Sequence, residues 1–212
     1  LLFAGTNEVM VTGDYGTPKA EYVAVQNGFN QQFVTAVRAT GGNNALRHLV
    51  VQGFNTNIDH TINFAVMPTD TAKDRLMMEV HFYDPYNFTL NDKSTVWQWG
   101  AGATDAKATE TWANEAFIDA QFQKMKAKYV DKGIPVILGE FGAIRRTEYA
   151  GAETYRLAWD RYVARSAWTH GLVPVYWDAG ASRDNHSMGL FDRGTGAQVY
   201  PEILTGLVAA AK

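Results

Sequence analysis

Two glutamates, Glu8 and Glu140, each follow a short apolar run, Leu1 to Gly5 in the first case and Pro135 to Gly139 in the second. Cleaving a glycosidic bond takes two carboxyl groups, one protonated to release the leaving-group oxygen and one ionised to attack or to activate water. A carboxylate at the end of an apolar strand is costly to keep unless it has partners. A lone glutamate at a strand end is more often a capping or ion-pair residue, whereas two of them on one rim favour chemistry. Asn7 stands beside the first. It could hydrogen-bond a sugar hydroxyl or simply stabilise a turn. His81 and Tyr83 are two positions apart, so a regular strand would turn both to one side. Trp177 offers a flat apolar face on which pyranose C–H groups can pack, and Trp97 and Trp99 could extend that platform. Asp178 would either brace Trp177 or touch a hydroxyl.

These residues need elements to hold them. Short, unalternating apolar runs at Leu1 to Gly5, His48 to Gln52, Leu76 to Phe82, Pro135 to Gly139 and Val173 to Trp177 read as strands covered on both faces. Helical spacing connects them: Tyr22, Val25, Phe29, Phe33 and Val37; then Trp112, Phe117, Phe122, Met125 and Tyr129; then Tyr155, Ala158, Tyr162 and Ala167. Asp59 to Ala65 fits a shorter crossover, and Pro201 to Ala211 a closing helix with Pro in its first turn. Trp112, Trp159 and Trp168 fall on helical faces and are expected to serve packing.

Parallel strands joined by helices make an α/β architecture, either an open doubly wound sheet or part of a (β/α)8 TIM barrel. Asn7 and Glu8, His81 and Tyr83, Glu140, and Trp177 with Asp178 all fall at strand C-terminal ends. A barrel rim makes such residues converge, and no glycine-rich phosphate loop follows the first strand. The barrel is therefore expected, with about five β/α units in this chain.

Composition narrows the function classes. The 212 residues are 46% hydrophobic, 13% aromatic and 19% charged, which is the make-up of a packed globular chain. A formal net charge of -3 with no basic run excludes an electrostatic footprint for nucleic acid. No apolar stretch reaches the roughly 18 residues a membrane span needs. Zero cysteines remove thiol catalysis and thiolate metal sites. His48, His60, His170 and His186 lack zinc-site spacing, so neither a metal nor a cofactor is expected. The chain opens on an apolar run without an initiator Met, and is read as a fragment or processed product.

Taken together, Gly5-Thr6-Asn7-Glu8, His81-Phe82-Tyr83-Asp84-Pro85-Tyr86, Gly139-Glu140-Phe141-Gly142 and Val175-Tyr176-Trp177-Asp178 resemble strands four, six, seven and eight of glycoside hydrolase family 5. The likeness is closest to its subfamily 4, which holds endoglucanases and xyloglucanases. The segment from His81 to Trp97-Gln98-Trp99-Gly100 is its most specific part. The resemblance implies a retaining endo-β-1,4-glucanase acting on cellulose-like, mixed-linkage or xyloglucan chains. Glu8 would be the acid and then the base, and Glu140 the nucleophile, with the two carboxyls about 5 to 5.5 Å apart. Asn7, His81, Tyr83, Trp99 and Trp177 would bind substrate, and Tyr83 could donate to Glu140. A polymeric substrate implies a secreted, periplasmic or cell-surface protein.

The resemblance breaks in two places. Val9 stands where the family usually has Pro. Strands one to three are missing, so an N-terminal part of the same barrel, possibly as a separate chain, is the expected partner besides the β-glucan. The edges at Leu1 to Gly5 and Val173 to Trp177 would otherwise expose apolar interior side chains. A xylanase or mannanase on the same barrel, or a truncated carbohydrate-binding protein without turnover, are the alternatives.

Overall fold

The computed structural model describes residues 2–3 and 16–210. In chain order the elements are β1 (Leu2–Phe3), α1 (Ala20–Ala39), β2 (Leu49–Gln52), α2 (Ile58–Phe64), β3 (Leu76–Phe82), α3 (Tyr86–Thr89), α4 (Glu115–Lys128), β4 (Val136–Phe141), α5 (Ala152–Thr169), β5 (Leu172–Pro174) and α6 (Pro201–Ala210). The five strands lie side by side in sequence order. Parallel pairing sets Leu2 opposite Leu49, and Leu49 through Gln52 opposite Leu76 through Glu79. Sequential order with a helix between neighbouring strands is what a β/α barrel repeats.

The chain divides into two compact bodies, residues 1–81 with 123–138, and residues 82–122 with 139–212. In the first, Leu49, Val50 and Val51 are fully buried, as are Met78, Val80, Val136 and Leu138. These are the continuous apolar runs of strands covered on both faces. Met78 N–H donates to Pro135 C=O at 3.0 Å, carrying the ladder from β3 to β4.

The apolar spacing of α1 points to a face that the helix does not bury. Its buried positions are Gln26, Asn30 and Val34, while Val25 and Phe29 stand out, Phe29 at 49% exposure. The reason is polar. Asn30 Nδ2 donates to the Gln52 carbonyl at 2.7 Å and Gln26 Nε2 to the same oxygen at 3.4 Å, so the helix docks through amides that satisfy the end of β2. Asn27, Gln31 and Arg38 grip the connection that leads into β3. Asn27 donates to Phe64 C=O, Gln31 accepts from Thr69 N–H, and Arg38 makes a two-pronged pair with Asp70. Lys128 donates to the Thr61 and Ile62 carbonyls at the end of the short helix α2, where Thr61 C=O also accepts the Ala65 N–H.

The second body is built on aromatics. Trp159 of α5 is fully buried against Phe82, Phe88 and Phe141, at ring centroid distances of 6.3, 6.5 and 6.5 Å. Its indole N–H donates to Asp84 C=O at 3.1 Å, meeting the requirement that a buried indole find an acceptor. The Asp84–Pro85 peptide that follows β3 is cis. β5 is shorter than its apolar run suggests, ending at Pro174, yet Trp177 N–H still donates to Phe141 C=O at 2.9 Å. Pro lacks an N–H, which ends the regular ladder there. Val173 and Val175 are 48% and 46% exposed.

Two packing expectations fail. Trp112 lies in a turn before α4 and Trp168 on the outer side of α5, and both are about half exposed. Helical spacing marked the segments correctly, but these two rings fall outside the buried stripes, which run through Ile118, Phe122 and Met125 and through Trp159, Val163 and Ala167.

Candidate active site

Asn7 and Glu8 lie outside the described residues. Glu140 lies near the C-terminal end of β4, half-buried, between the fully buried Leu138 and the nearly buried Phe141. Phe141 turns toward α5 and Trp159, and strand alternation then sends Glu140 to the opposite face. There the Tyr83 hydroxyl donates to Glu140 Oε2 at 2.9 Å. Burial, together with the charge on Glu140, pushes the Tyr83 phenol far above its ordinary value. Tyr83 therefore keeps its proton and donates a hydrogen bond to Glu140. Its own carbonyl accepts from Thr89 Oγ1 at 2.5 Å, which fixes the backbone just past β3.

Gly142 follows Phe141, and here only glycine fits. A Cβ would stand 2.8 Å from Met188 Cε and 3.2 Å from the Tyr176 ring. Beneath that contact Arg156 of α5 donates to Ala143 C=O at 2.9 Å and to Met188 C=O and the Tyr176 hydroxyl at 3.2 Å each. The strand end carrying Glu140 is thus held from behind by a buried guanidinium.

Trp177 is 46% exposed, as a ring offered to a ligand must be. Asp178 beside it accepts from Leu190 N–H at 2.8 Å, from Gly180 N–H at 3.0 Å and from Arg193. Burial alone would raise this carboxyl, but those donors outweigh it and hold Asp178 below the usual carboxylate range. Asp178 is therefore the brace of the two roles open to it, fastening the loop that presents Trp177.

Trp99 is corrected to a core residue. It is 3% exposed, donates its indole N–H to Ala113 C=O at 2.7 Å and packs on Tyr162. Its ring has no face left for a sugar. Trp97 stacks on Tyr149 at 5.3 Å and meets Tyr155 edge-on, so it joins the long loop after β3 to the segment after β4.

In the other body, His81 on β3 shares a strand face with Glu79 two residues before it. His81 Nε2 lies 3.3 Å from Glu79 Oε1, and Gln52 Nε2 donates to Glu79 Oε2 at 2.8 Å. Sequence reasoning passed over Glu79, Gln52, Arg146 and Arg156. The period-two spacing of Glu79 and His81 was a signal for the first. Arg146, 3% exposed, donates to the carbonyls of Ser94, Asn87, Phe88 and Asn91, a role that no local pattern announces.

Comparison with known proteins bears on this arrangement. The family model described as cellulase, glycosyl hydrolase family 5, matches residues 1–183. The chain is 38% identical over 219 residues to Endoglucanase A of Paenibacillus barcinonensis, a match covering 98% of this chain and 54% of that protein. It is 41% identical over 204 residues to the xyloglucan-specific endo-beta-1,4-glucanase BoGH5A of Bacteroides ovatus, covering 92% and 39%. Among solved structures, the family 5 xyloglucanase from Paenibacillus pabuli in complex with ligand superposes with a TM-score of 0.94 at 36% identity, covering all of this chain and 61% of that one. The chain thus spans about half the length of the curated relatives it matches.

Proposed function

The chain belongs to glycosyl hydrolase family 5, the cellulase family, and from that premise we propose that the protein carrying it is a retaining endo-β-1,4-glucanase. Its fold is accordingly part of a (β/α)8 barrel. The observation that carries the proposal is the hydrogen bond from the Tyr83 hydroxyl to Glu140. A donor held at this place keeps one oxygen of Glu140 engaged as an acceptor, which orients the carboxyl group for attack.

In the first step Glu140 bonds to the anomeric carbon as the glycosidic C–O bond breaks, and Glu8 transfers its proton to the departing oxygen. In the second, Glu8 takes a proton from water, the water oxygen bonds to the same carbon, and Glu140 leaves as carboxylate. Two inversions return the starting anomer. Asn7, His81 and Trp177 bind the sugar. The substrate is a β-glucan, with cellulose, mixed-linkage glucan and xyloglucan as its range, in keeping with the activities named for the relatives. Such polymers place the enzyme outside the cytoplasm or at the cell surface.

The remainder of the barrel is its structural partner. Exposure of Val173 on β5 and of Val175 just beyond it supports this, since apolar residues facing a barrel interior are normally covered. Size measurement under native and denaturing conditions tests that partner, and a monodisperse 23.5 kDa monomer that hydrolyses glucan would exclude it.

Kinetics of two variants test the chemistry. Glu140→Ala should abolish retaining turnover, while Glu8→Ala should slow substrates with poor leaving groups far more than activated aryl glycosides. Equal, modest losses in both variants would overturn the assignment. Product analysis on soluble glucans, xylans and mannans fixes the substrate class.

A further inference from the structure

Trp177 stands on a segment outside the regular strand, since β5 ends at Pro174. The bond from Trp177 N–H to Phe141 C=O at 2.9 Å ties its backbone to the strand end that carries Glu140. Such a bond fixes one point and leaves the segment free to pivot about it. The tilt of the ring must be set by the side chains on either side.

Tyr176 and Asp178 are those neighbours, and both reach the same returning segment. The Tyr176 hydroxyl donates to Met188 C=O at 3.0 Å, and Asp178 accepts from Leu190 N–H at 2.8 Å. Between these contacts lies Gly189, whose N–H donates to Ala181 C=O at 2.7 Å and where a Cβ would stand 2.3 Å from that oxygen. Only glycine allows so close an approach, and with Met188 and Leu190 buried the segment is a firm base.

The grip at Tyr176 extends inward to α5. Its hydroxyl accepts from Arg156 Nη2 at 3.2 Å, and the same guanidinium donates to Met188 C=O at 3.2 Å and to Ala143 C=O at 2.9 Å. The ring meets Phe141 edge-on at 5.6 Å and lies against Gly142. The phenol thus both donates and accepts, and it joins residues 141–143, just past Glu140, to the segment that presents Trp177.

We infer that Tyr176 is a positioning residue that sets the Trp177 ring relative to Glu140. Its hydroxyl holds one side of Trp177 to the base, as Asp178 holds the other. Without that hydroxyl the segment stays fastened at Phe141 C=O and at Asp178, and the Trp177 ring tilts about the line between them. The consequence for turnover rests on the hydrolase reading, in which Trp177 binds sugar. The placement of the ring does not.

The test is Tyr176→Phe, which keeps a ring against Phe141 and Gly142 and leaves Arg156 on Met188 C=O. Thermal unfolding checks that the fold is intact. In protein labelled with fluorotryptophan, the fluorine resonance of each indole reports its surroundings, and Trp177→Phe identifies the Trp177 line among the six tryptophans. The expected result in Tyr176→Phe is a Trp177 line that shifts or broadens, with the lines of the buried Trp99 and Trp159 in place. Asp178→Asn, which turns an amide toward donors that the carboxylate accepts from, should move the same line.

A Trp177 line unchanged in Tyr176→Phe overturns the inference, and one that moves in Asp178→Asn alone gives the placement to Asp178. Changes at Trp99 and Trp159 as large as that at Trp177 also overturn it, because the hydroxyl would then serve general packing. On glucan, Tyr176→Phe should lower kcat by about ten-fold with a smaller change in KM, since a tilted platform costs the flattened sugar of the transition state more than the bound ground state. A kcat within about two-fold of the unsubstituted protein would overturn the part of Tyr176 in turnover. If the unsubstituted protein hydrolyses no glycan, the hydrolase reading fails while the fluorine lines still decide the placement.

Discussion

Glu140 and Asp160 bring the same functional group into the same compact body, and their surroundings treat it in opposite ways. Glu140 is half-buried and has the Tyr83 hydroxyl 2.9 Å from one oxygen. Asp160 on α5 has no exposed surface, and neither of its oxygens has a hydrogen bond of ordinary length among the described residues, the Ala143 backbone N–H offsetting its burial only in part. The nearby cation, Arg156 Nε, is 4.0 Å away and already donates to Ala143 C=O.

Two opposed tendencies meet at that pair. Burial works against the Arg156 charge, but Tyr176, Asp160 and Glu153 outweigh it and keep the guanidinium protonated. Burial pushes Asp160 up to about 7 despite the attraction of Arg156. Desolvation wins at the aspartate because a cation without a shared hydrogen bond does not replace lost water. A nearby positive charge without a shared hydrogen bond thus does not guarantee an ionised carboxylate.

Breaking the buried side should give the largest effect. Arg156→Met removes donors from the Ala143 and Met188 carbonyls and from Tyr176, and strands Asp160 without its cation. The expected loss is about 3 to 5 kcal/mol in urea unfolding, the usual cost of removing one partner from a buried pair. A loss under about 1 kcal/mol would mean that Asp160 is already neutral and that the carbonyls find other donors.

Asp160→Asn sharpens the same side through pH. The folded-state value lies above the ordinary 3.8, so the folded protein holds a proton that the unfolded chain releases. The stability contributed is complete below the unfolded value and is lost as pH rises from there through the folded value near 7. Unfolding free energy should therefore drop by about 2 to 3 kcal/mol between about pH 5 and about pH 8 on account of this group. Asp160→Asn should flatten that part of the profile, and an unchanged slope would mean that Asp160 does not titrate there.

Tyr83→Phe probes the other carboxylate. It removes one hydrogen bond to a charged group, worth about 1.5 to 3 kcal/mol, and should cost about 10- to 100-fold in kcat/KM on glucan. Thermal stability should change little, since the phenyl ring still fills its place. A kcat/KM within about two-fold of the unsubstituted protein would show that Glu140 does not depend on this donor.

The contrast also explains how much could be read beforehand. Strands at 76–82 and 135–139, the second observed as 136–141, and helices over α4, α5 and α6 were legible because continuous apolar runs and 3.6-residue spacing record burial directly. Glu140, Tyr83 and Trp177 stood out as candidates because each falls at or just past the end of an apolar run in the sequence. The burial of Trp99 was not legible, since a ring in a loop shows neither face nor depth until Ala113 and Tyr162 are folded against it. The docking face of α1 was misread because Gln26 and Asn30 are buried by their bonds to Gln52, and apolar spacing cannot register an amide that is inside for its donors. Asp160 was equally hidden, a charged residue at helical spacing that looks like solvated surface.

A third carboxylate supplies the smallest test. Glu153 pairs with the same Arg156, at 3.2 Å, but its side chain is 43% exposed, so water already compensates its charge and screens the pair. Glu153→Gln should change stability by less than about 1 kcal/mol, well below the loss expected for Arg156→Met. It should also ease ionisation of Asp160 slightly, because Glu153 is among the charges that raise it. The pH at which the stability profile levels off would then move down by a fraction of a unit, while its overall form stays the same. If Glu153→Gln instead costs as much as Arg156→Met, Arg156 is positioned from the solvent side by Glu153, and donors around the buried carboxylate no longer explain why Asp160 and Glu140 differ.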